Sequence, residues 1–142
     1  MASQEQLNRA IVELQLLERL VTDYQARIIT IERSIEEHEN ALKLIEEIKK
    51  NVGKIPILVP IGAGSFVKAE MSNVETVHIN VGAGVIIEKS LDESQQLLTK
   101  RNEALQQLRD TISKRLEEAL GRMQQLRQFV EANLAKQQRE GA

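Results

Sequence analysis

Five of the seven glycines and both prolines of this chain fall between Gly53 and Gly84, within a sequence of 142 residues. Proline removes a backbone donor and glycine costs a helix about 1 kcal/mol relative to alanine. The two flanks, almost free of both, can therefore run as long helices, whereas the middle cannot. Composition agrees: aromatics are 2% of residues and tryptophan is absent. Leu, Ile, Glu, Gln, Arg, Lys and Ala dominate the flanks, a usage typical of long helices and coiled coils. With 21 acidic and 19 basic residues mixed along the chain, neither nucleic acid nor an anionic membrane is an expected partner. The absence of cysteine excludes disulfides and thiolate metal sites. No stretch approaches eighteen apolar residues, and MASQEQLNRA has no apolar signal core, so the expectation is a soluble, non-secreted, cytoplasmic chain.

In the first flank, predicted as a helix over 3–52, Leu17, Val21, Tyr24, Ile28, Ile31, Ile35, His38, Leu42 and Ile45 follow one another in alternating steps of four and three. That spacing keeps one narrow seam facing a partner helix. Leu7, Ile11 and Leu14 extend it with a repeated step of three at Leu14 to Leu17, expected to overwind the supercoil locally. The second flank, predicted as a helix over 90–140, carries a seam through Leu91, Leu98, Leu105, Leu108, Ile112, Leu116, Ala119, Met123, Leu126 and Val130, with a repeated step of four at Ile112 to Leu116. Ser3 with Gln6 and Ser90 with Glu93 are candidate capping boxes, and Asn51-Val52-Gly53 with Pro56 is a helix stop. Charges at i and i+4 (Glu5 and Arg9, Glu39 and Lys43, Glu46 and Lys50, Asp110 and Lys114, Glu118 and Arg122) solubilise the helices. Each helix would be roughly 70 Å long. The two are expected to fold back as an antiparallel pair, a rod with the middle segment as a knob at one end.

The middle segment, 53–89, has a period of two. Val77, Ile79 and Val81 alternate with polar residues, Ile57, Val59 and Ile61 alternate with Leu58 and Pro60, and Phe66–Met71 and Val85–Lys89 supply two more strands. Gly62-Ala63-Gly64 and Gly82-Ala83-Gly84 then become matching turns of two β-hairpins. A phosphate-binding loop is the rival reading of Gly-Ala-Gly, but it requires backbone N–H groups gathered at a helix N-terminus. Both triplets lead into β-type sequence instead (Ser65-Phe66-Val67 and Val85-Ile86-Ile87), so glycine's tolerance of positive φ is the better reading. His38 and His78 belong to no triad, His38 being a register-setting polar residue in the seam and His78 a mid-strand residue. Glu36, Glu37 and Glu39 form a solvated helix face rather than a metal site. Neither a cofactor nor catalysis is expected.

Exposure is the remaining signal. Two isolated hairpins are marginal in water and leave unpaired edges, so strands from other chains are expected to cover them. Leu58, Val59, Ile61, Phe66, Val67, Val77, Ile79, Val81, Ile86 and Ile87 are the candidate oligomerisation positions. At the other end of the helices, Ile11, Val12, Leu14, Leu16, Leu17 and Leu20, with Leu126, Phe129, Val130 and Leu134, are more apolar residues than a narrow seam covers. They form either a broadened core or a surface for apolar segments of other molecules.

The sequence Leu58-Val59-Pro60-Ile61-Gly62-Ala63-Gly64-Ser65-Phe66-Val67, followed by Val77-His78-Ile79-Asn80-Val81-Gly82-Ala83-Gly84-Val85 and Glu88-Lys89-Ser90 between two helices, resembles the α-class subunits of prefoldin, in their archaeal form. Val85-Ile86 departs from the aromatic residues of many relatives. The resemblance covers nearly the whole chain in architecture, and its specific part is the two-hairpin connector. It implies a mainly α fold with a small β connector, in which two α-class and four β-class subunits join their hairpins into an intersubunit double β-barrel. It further implies an ATP-independent co-chaperone whose coiled-coil tips hold unfolded or nascent chains and pass them to a group II chaperonin. Leu14, Leu17, Leu126, Phe129 and Val130 are the client-contacting candidates. A coiled-coil scaffold or filament component that assembles through its hairpins and binds no client is the alternative.

Overall fold

The computed structural model describes residues 3–51 and 53–141. In chain order the elements are α1 (Gln4–Lys50), β1 (Ile55–Gly62), β2 (Ser65–Met71), β3 (Thr76–Gly82), β4 (Val85–Ser90) and α2 (Leu91–Glu140). Two long helices are thus joined by two separate antiparallel hairpins, β1–β2 and β3–β4. The capping residues act as their sequence suggests. Gln6 N–H donates to Ser3 Oγ and Ser3 N–H to Gln6 Oε1, a closed box at the start of α1. Glu93 N–H donates to Ser90 Oγ at the start of α2, satisfying one of the amides a helix start leaves open. At the other end of α1, Asn51 N–H closes on the Glu47 carbonyl; Val52 of the expected stop lies outside the described residues.

The chain divides into two compact units. One, the terminal helix pair, comprises α1 up to Arg33 and α2 from Gln106; the other, the hairpin unit, runs from Ser34 to Leu105. In the terminal pair, Val21, Ala119 and Met123 form a buried cluster flanked by Leu14, Leu17 and Leu116. Glu13 with Arg122 and Gln4 with Gln137 bridge the two helices, so they run antiparallel there. In the hairpin unit, Lys49 reaches Asp92 and Gln95, which ties the end of α1 to the start of α2.

Both expected breaks in the seam disappear. In α1 the seam runs through Leu7, Ala10, Leu14, Leu17, Val21, Tyr24, Ile28, Ile31, Ile35, His38, Leu42 and Ile45, each buried or half-buried, an unbroken alternation of three and four, with Ile11, Glu13, Ser34, Ala41 and Ile48 half-buried beside it. Ala10, 6% exposed, takes the place assigned to Ile11. In α2 the seam runs through Leu91, Gln95, Leu98, Asn102, Leu105, Arg109, Ile112, Leu116, Ala119, Met123, Leu126, Val130 and Asn133, again unbroken, with Ser94, Leu97, Arg101, Gln106 and Ser113 buried or half-buried beside it. Leu108, placed in the seam by its type, is 48% exposed and Arg109 occupies the position. The physical reason is common to both: a seam needs a side chain of fitting volume or a long aliphatic stem, and the small Ala10 and the stem of Arg109 serve. With a regular repeat of seven over both helices, neither local overwinding nor unwinding is required.

The hairpins are copies of one design. β1 pairs with β2 from Ile55 opposite Met71 to Pro60 opposite Phe66, and the register then shifts by one so that Gly62 faces Ser65. β3 and β4 do the same, from Thr76 opposite Ser90 to Asn80 opposite Ile86, then Gly82 opposite Val85. Ile61 and Val81 are therefore the extra residues of matching β-bulges. The loops are Ala63-Gly64 and Ala83-Gly84, with φ of 52° and 70° in the first and 50° and 75° in the second. Positive φ at both loop residues marks the type I′ turn whose twist suits a hairpin. The alanines as well as the glycines are thus in the left-handed region, where an L side chain costs roughly 1 kcal/mol or more. Ala63→Asn with Ala83→Asn is expected to stabilise each hairpin, since asparagine tolerates this conformation far better. Hydrogen exchange at Val59, Val67 and Ile87 should slow roughly two- to fivefold; unchanged exchange would show that the alanines carry no strain.

Candidate functional site

Two surfaces stand out, one on each unit. On the hairpins, Leu58, Ile61, Phe66 and Ile86 are each at least 60% exposed, and Val59, Val67, Val81 and Val85 are also exposed. Val77 and Ile87 are half-buried and Ile79 is buried, so these three face into their own unit. The candidate strand positions therefore divide between an outward set and an inward set of hairpin β3–β4. That hairpin is tied to α2, since Arg101 Nη1 donates to the Asn80 carbonyl at 3.1 Å. Ser94, wholly buried, lies 3.5 Å from the Lys89 carbonyl.

The second surface belongs to the terminal helix pair. Val12, Leu16, Leu20, Ile29, Leu108, Leu120, Phe129 and Leu134 are exposed there, whereas Leu44 is the one such large apolar side chain on the helices of the hairpin unit, among the described residues. Solvated helix faces carry scattered apolar residues as a matter of course, and the terminal pair holds more of the two helices than the hairpin unit does, but its exposed apolar side chains outnumber the other unit's by more than that difference in length. Between the helices an open groove of about 480 Å³ is floored by Ala10, Leu126 and Phe129 and rimmed by Gln6, Arg9, Glu13, Arg122 and Gln125. On the outer side of α1, Val12 and Leu16 line a shallower groove of about 370 Å³ with Glu5, Asn8, Arg9 and Glu13.

Arg122 grips Glu13 with two nitrogens, at 2.9 and 3.1 Å. The hydrogen bond from Arg122 is the main reason the Glu13 carboxyl titrates below the usual carboxylate range. Arg122 was expected to pair with Glu118 one turn away, but the two-pronged geometry to the facing helix suits a guanidinium better. Arg9 does pair with Glu5 as expected, at 2.7 Å.

Of the five client-contacting candidates, Phe129 is exposed, Leu14, Leu17 and Val130 are half-buried, and Leu126 is 5% exposed as part of the groove floor. The seam thus takes most of the side chains that stood out by type and spacing. The surface is made instead by Val12, Leu16, Leu20 and Leu134, also noted in the sequence, by Leu108, which the sequence placed in the seam, and by Ile29 and Leu120, which lacked any signal except their being apolar off the seam. His38 sits in the seam with Nδ1 2.6 Å from the Ser34 carbonyl; His78 is exposed on β3. Among the described residues no cluster of acidic and histidine side chains suited to a metal is present, and no helix is long and apolar enough to cross a membrane.

Two helices joined by paired hairpins, with apolar surface on both the hairpins and the terminal helices, define a protein that works through contacts with other chains. The sequence profile of the Prefoldin family, described as Prefoldin subunit, matches residues 17–138, and this chain belongs to that family. Similar proteins include Prefoldin subunit alpha of Methanopyrus kandleri, 32% identical over 113 residues that cover 80% of this chain and 72% of the relative. Prefoldin subunit alpha of Pyrobaculum arsenaticum is 32% identical, covering 89% and 91% of the two chains. That of Nitrosopumilus maritimus is 30% identical, covering 91% and 93%. A cryo-EM structure of filamentous PFD from Methanocaldococcus jannaschii has the same fold, with a TM-score of 0.65, 18% identity, and coverage of 84% of this chain and 96% of that one. The family is one of chaperone subunits.

Proposed function

We propose that this chain is the α-class subunit of an ATP-independent co-chaperone in the cytoplasm. In this reading two copies combine with four β-class prefoldin subunits through their hairpins into a β-barrel platform. The terminal helix pairs hold unfolded or nascent polypeptides and deliver them to a group II chaperonin. The observation that carries it is the concentration of exposed apolar side chains on the terminal helix pair. Exposed apolar area of this kind favours segments that have not yet buried their own. Several weak contacts on separate subunits act together through effective concentration, so a client is held without any one contact being tight. Each contact can let go separately, and release needs no hydrolysis by this chain. Phe129 would meet the client directly and Leu126 through the groove, with Leu14, Leu17 and Val130 supporting the helices beneath.

The test is the triple substitution Val12→Ser, Leu16→Ser, Phe129→Ser in the complex with its β-class partner. These side chains lie off the seam and should leave helix content intact. Light scattering of a denatured client diluted without ATP should show half-suppression of aggregation only at roughly five- to tenfold higher complex concentration. Suppression equal to that of the unsubstituted complex would rule out this surface as the client site.

A further inference from the structure

The ion pairs that bridge the terminal helices recur in a fixed order with exposed apolar side chains. With Leu14 and Met123 at heptad position a, and Leu17 and Leu126 at d, Glu13, Leu20, Arg122 and Phe129 all fall at g. Glu18, Leu120, Arg127 and Leu134 all fall at e. Positions g and e flank a seam on opposite sides, and the observed partners agree with that. Glu13 meets Arg122 at 2.9 Å on one flank, and Glu18 meets Arg127 at 3.9 Å on the other.

Along either flank the repeat of seven residues corresponds to about 10 Å of helix. Phe129 lies seven residues beyond Arg122, and Leu20 lies seven beyond Glu13 on the helix that runs the other way. An apolar side chain therefore stands on each side of that ion pair. Leu120 and Leu134 stand on each side of Arg127 in the same manner. All four are exposed to a similar degree, 37–45%. Each flank thus repeats one order, apolar side chain, ion pair, apolar side chain, over about 20 Å.

The middle of each site is polar in a particular way. Arg122 engages Glu13 through Nε and Nη2, and among the described residues its Nη1 donates to nothing. A guanidinium donor beside a carboxylate acceptor complements the C=O and N–H of a peptide group. An unfolded, extended segment leaves such groups unpaired, whereas a helix has already paired its own. A continuous run of apolar side chains laid across the pair would take water from two charges and supply no hydrogen bond in its place. At about 3.3 Å per residue, an extended segment covers 20 Å in about six residues.

We propose that the ion pairs Glu13–Arg122 and Glu18–Arg127 are specificity-determining: they select extended client segments whose apolar side chains stand about six residues apart with polar residues or glycine between them. This selection rests on client holding by the terminal helices and adds which segments are held.

Two fluorescein-labelled peptides of identical composition test it, each with one phenylalanine and one leucine in a background of serine, glutamine and glycine. In one peptide the two apolar residues are about six positions apart; in the other they are adjacent. Fluorescence anisotropy with the full-length chain alone reads these helices without those of a partner. The spaced peptide should bind roughly fivefold more tightly than the adjacent one. Glu13→Leu, Arg122→Leu, Glu18→Leu and Arg127→Leu in one chain should erase that preference by raising affinity for the adjacent peptide, with circular dichroism reporting helix content. Exchanging the charges, by Glu13→Arg with Arg122→Glu and Glu18→Arg with Arg127→Glu, should preserve it. Equal affinities for the unsubstituted chain, or a preference that survives the leucine substitutions, would overturn the selection and leave client holding in place. So would failure of either peptide to bind a chain whose complex with its β-class partner still suppresses aggregation. A complex that suppresses no aggregation of a denatured client would overturn client holding itself.

Discussion

Met123→Asp is expected to destabilise the terminal helix pair by about 4–5 kcal/mol, a large part of what a small domain has available. Met123 is 4% exposed and packs with Val21 and Ala119, with Leu14, Leu17 and Leu116 around them. Removing the thioether leaves a void that the helices cannot close, and the carboxylate that replaces it has no cationic partner inside the cluster. The nearby guanidinium of Arg122 is already engaged by Glu13. Urea unfolding followed by circular dichroism at 222 nm should show the loss. Met123→Leu, which conserves volume, should stay within about 1.5 kcal/mol. A midpoint that moves no further in the aspartate variant than in the leucine one would mean that the seam is not packed as described.

The second large effect has the opposite sign. Asn102 is 8% exposed and its Oδ1 is buried without a hydrogen-bond partner. A buried, unsatisfied polar group costs about 1–3 kcal/mol, and an apolar replacement of similar size avoids that cost. Asn102→Leu is therefore expected to raise stability by roughly 1–2 kcal/mol. The compensation for keeping asparagine is register, because a polar residue in an apolar seam disfavours every alignment that moves it against a wholly apolar layer. Asn102 lies in the seam of α2 and His38 in that of α1, both within the hairpin unit. The chain has no cysteine of its own, so spin labels on cysteines introduced at Glu39 and Glu103 report the alignment of the two helices there. In the leucine variant their distance distribution should broaden as the urea midpoint rises. A narrow distribution together with a higher midpoint would show that Asn102 does not set the register.

The helices and hairpins were legible because each signal resides within a few consecutive residues. The seven-residue repeat specifies a helix face, alternation specifies a strand, and two Gly-Ala-Gly triplets at matching places specify two turns. Ser3 and Ser90 could be recognised as caps for the same reason. The composition of the seams was less legible. Ala10 lacks the bulk that identifies a core residue in a sequence, and Arg109 carries a charge that argues against one, yet both satisfy the facing helix. Ile11 and Leu108 were favoured by type and displaced by geometry. The candidate client surface suffered from the same substitution of type for position. Leu14, Leu17 and Leu126 are prominent in the sequence because they are seam residues, and being in the seam is what withdraws them from solvent.

By itself the sequence determined the order of elements, the breakpoints between them, the two-hairpin connector and the family to which the chain belongs. The first three follow from local backbone preferences and short periodicities that a single segment carries; the family rests on the match of its profile to residues 17–138. Tertiary structure decided which residues fill the seam, that Arg122 turns to Glu13 rather than Glu118, that Ile79 and Ile87 face inward while Ile86 faces out, and that Arg101 occupies the edge of β3. The reason is that burial and hydrogen-bond partnership are properties of two facing surfaces. A segment's own pattern can say that it has an apolar side, but only the surface brought against it determines how much of that side remains for another molecule.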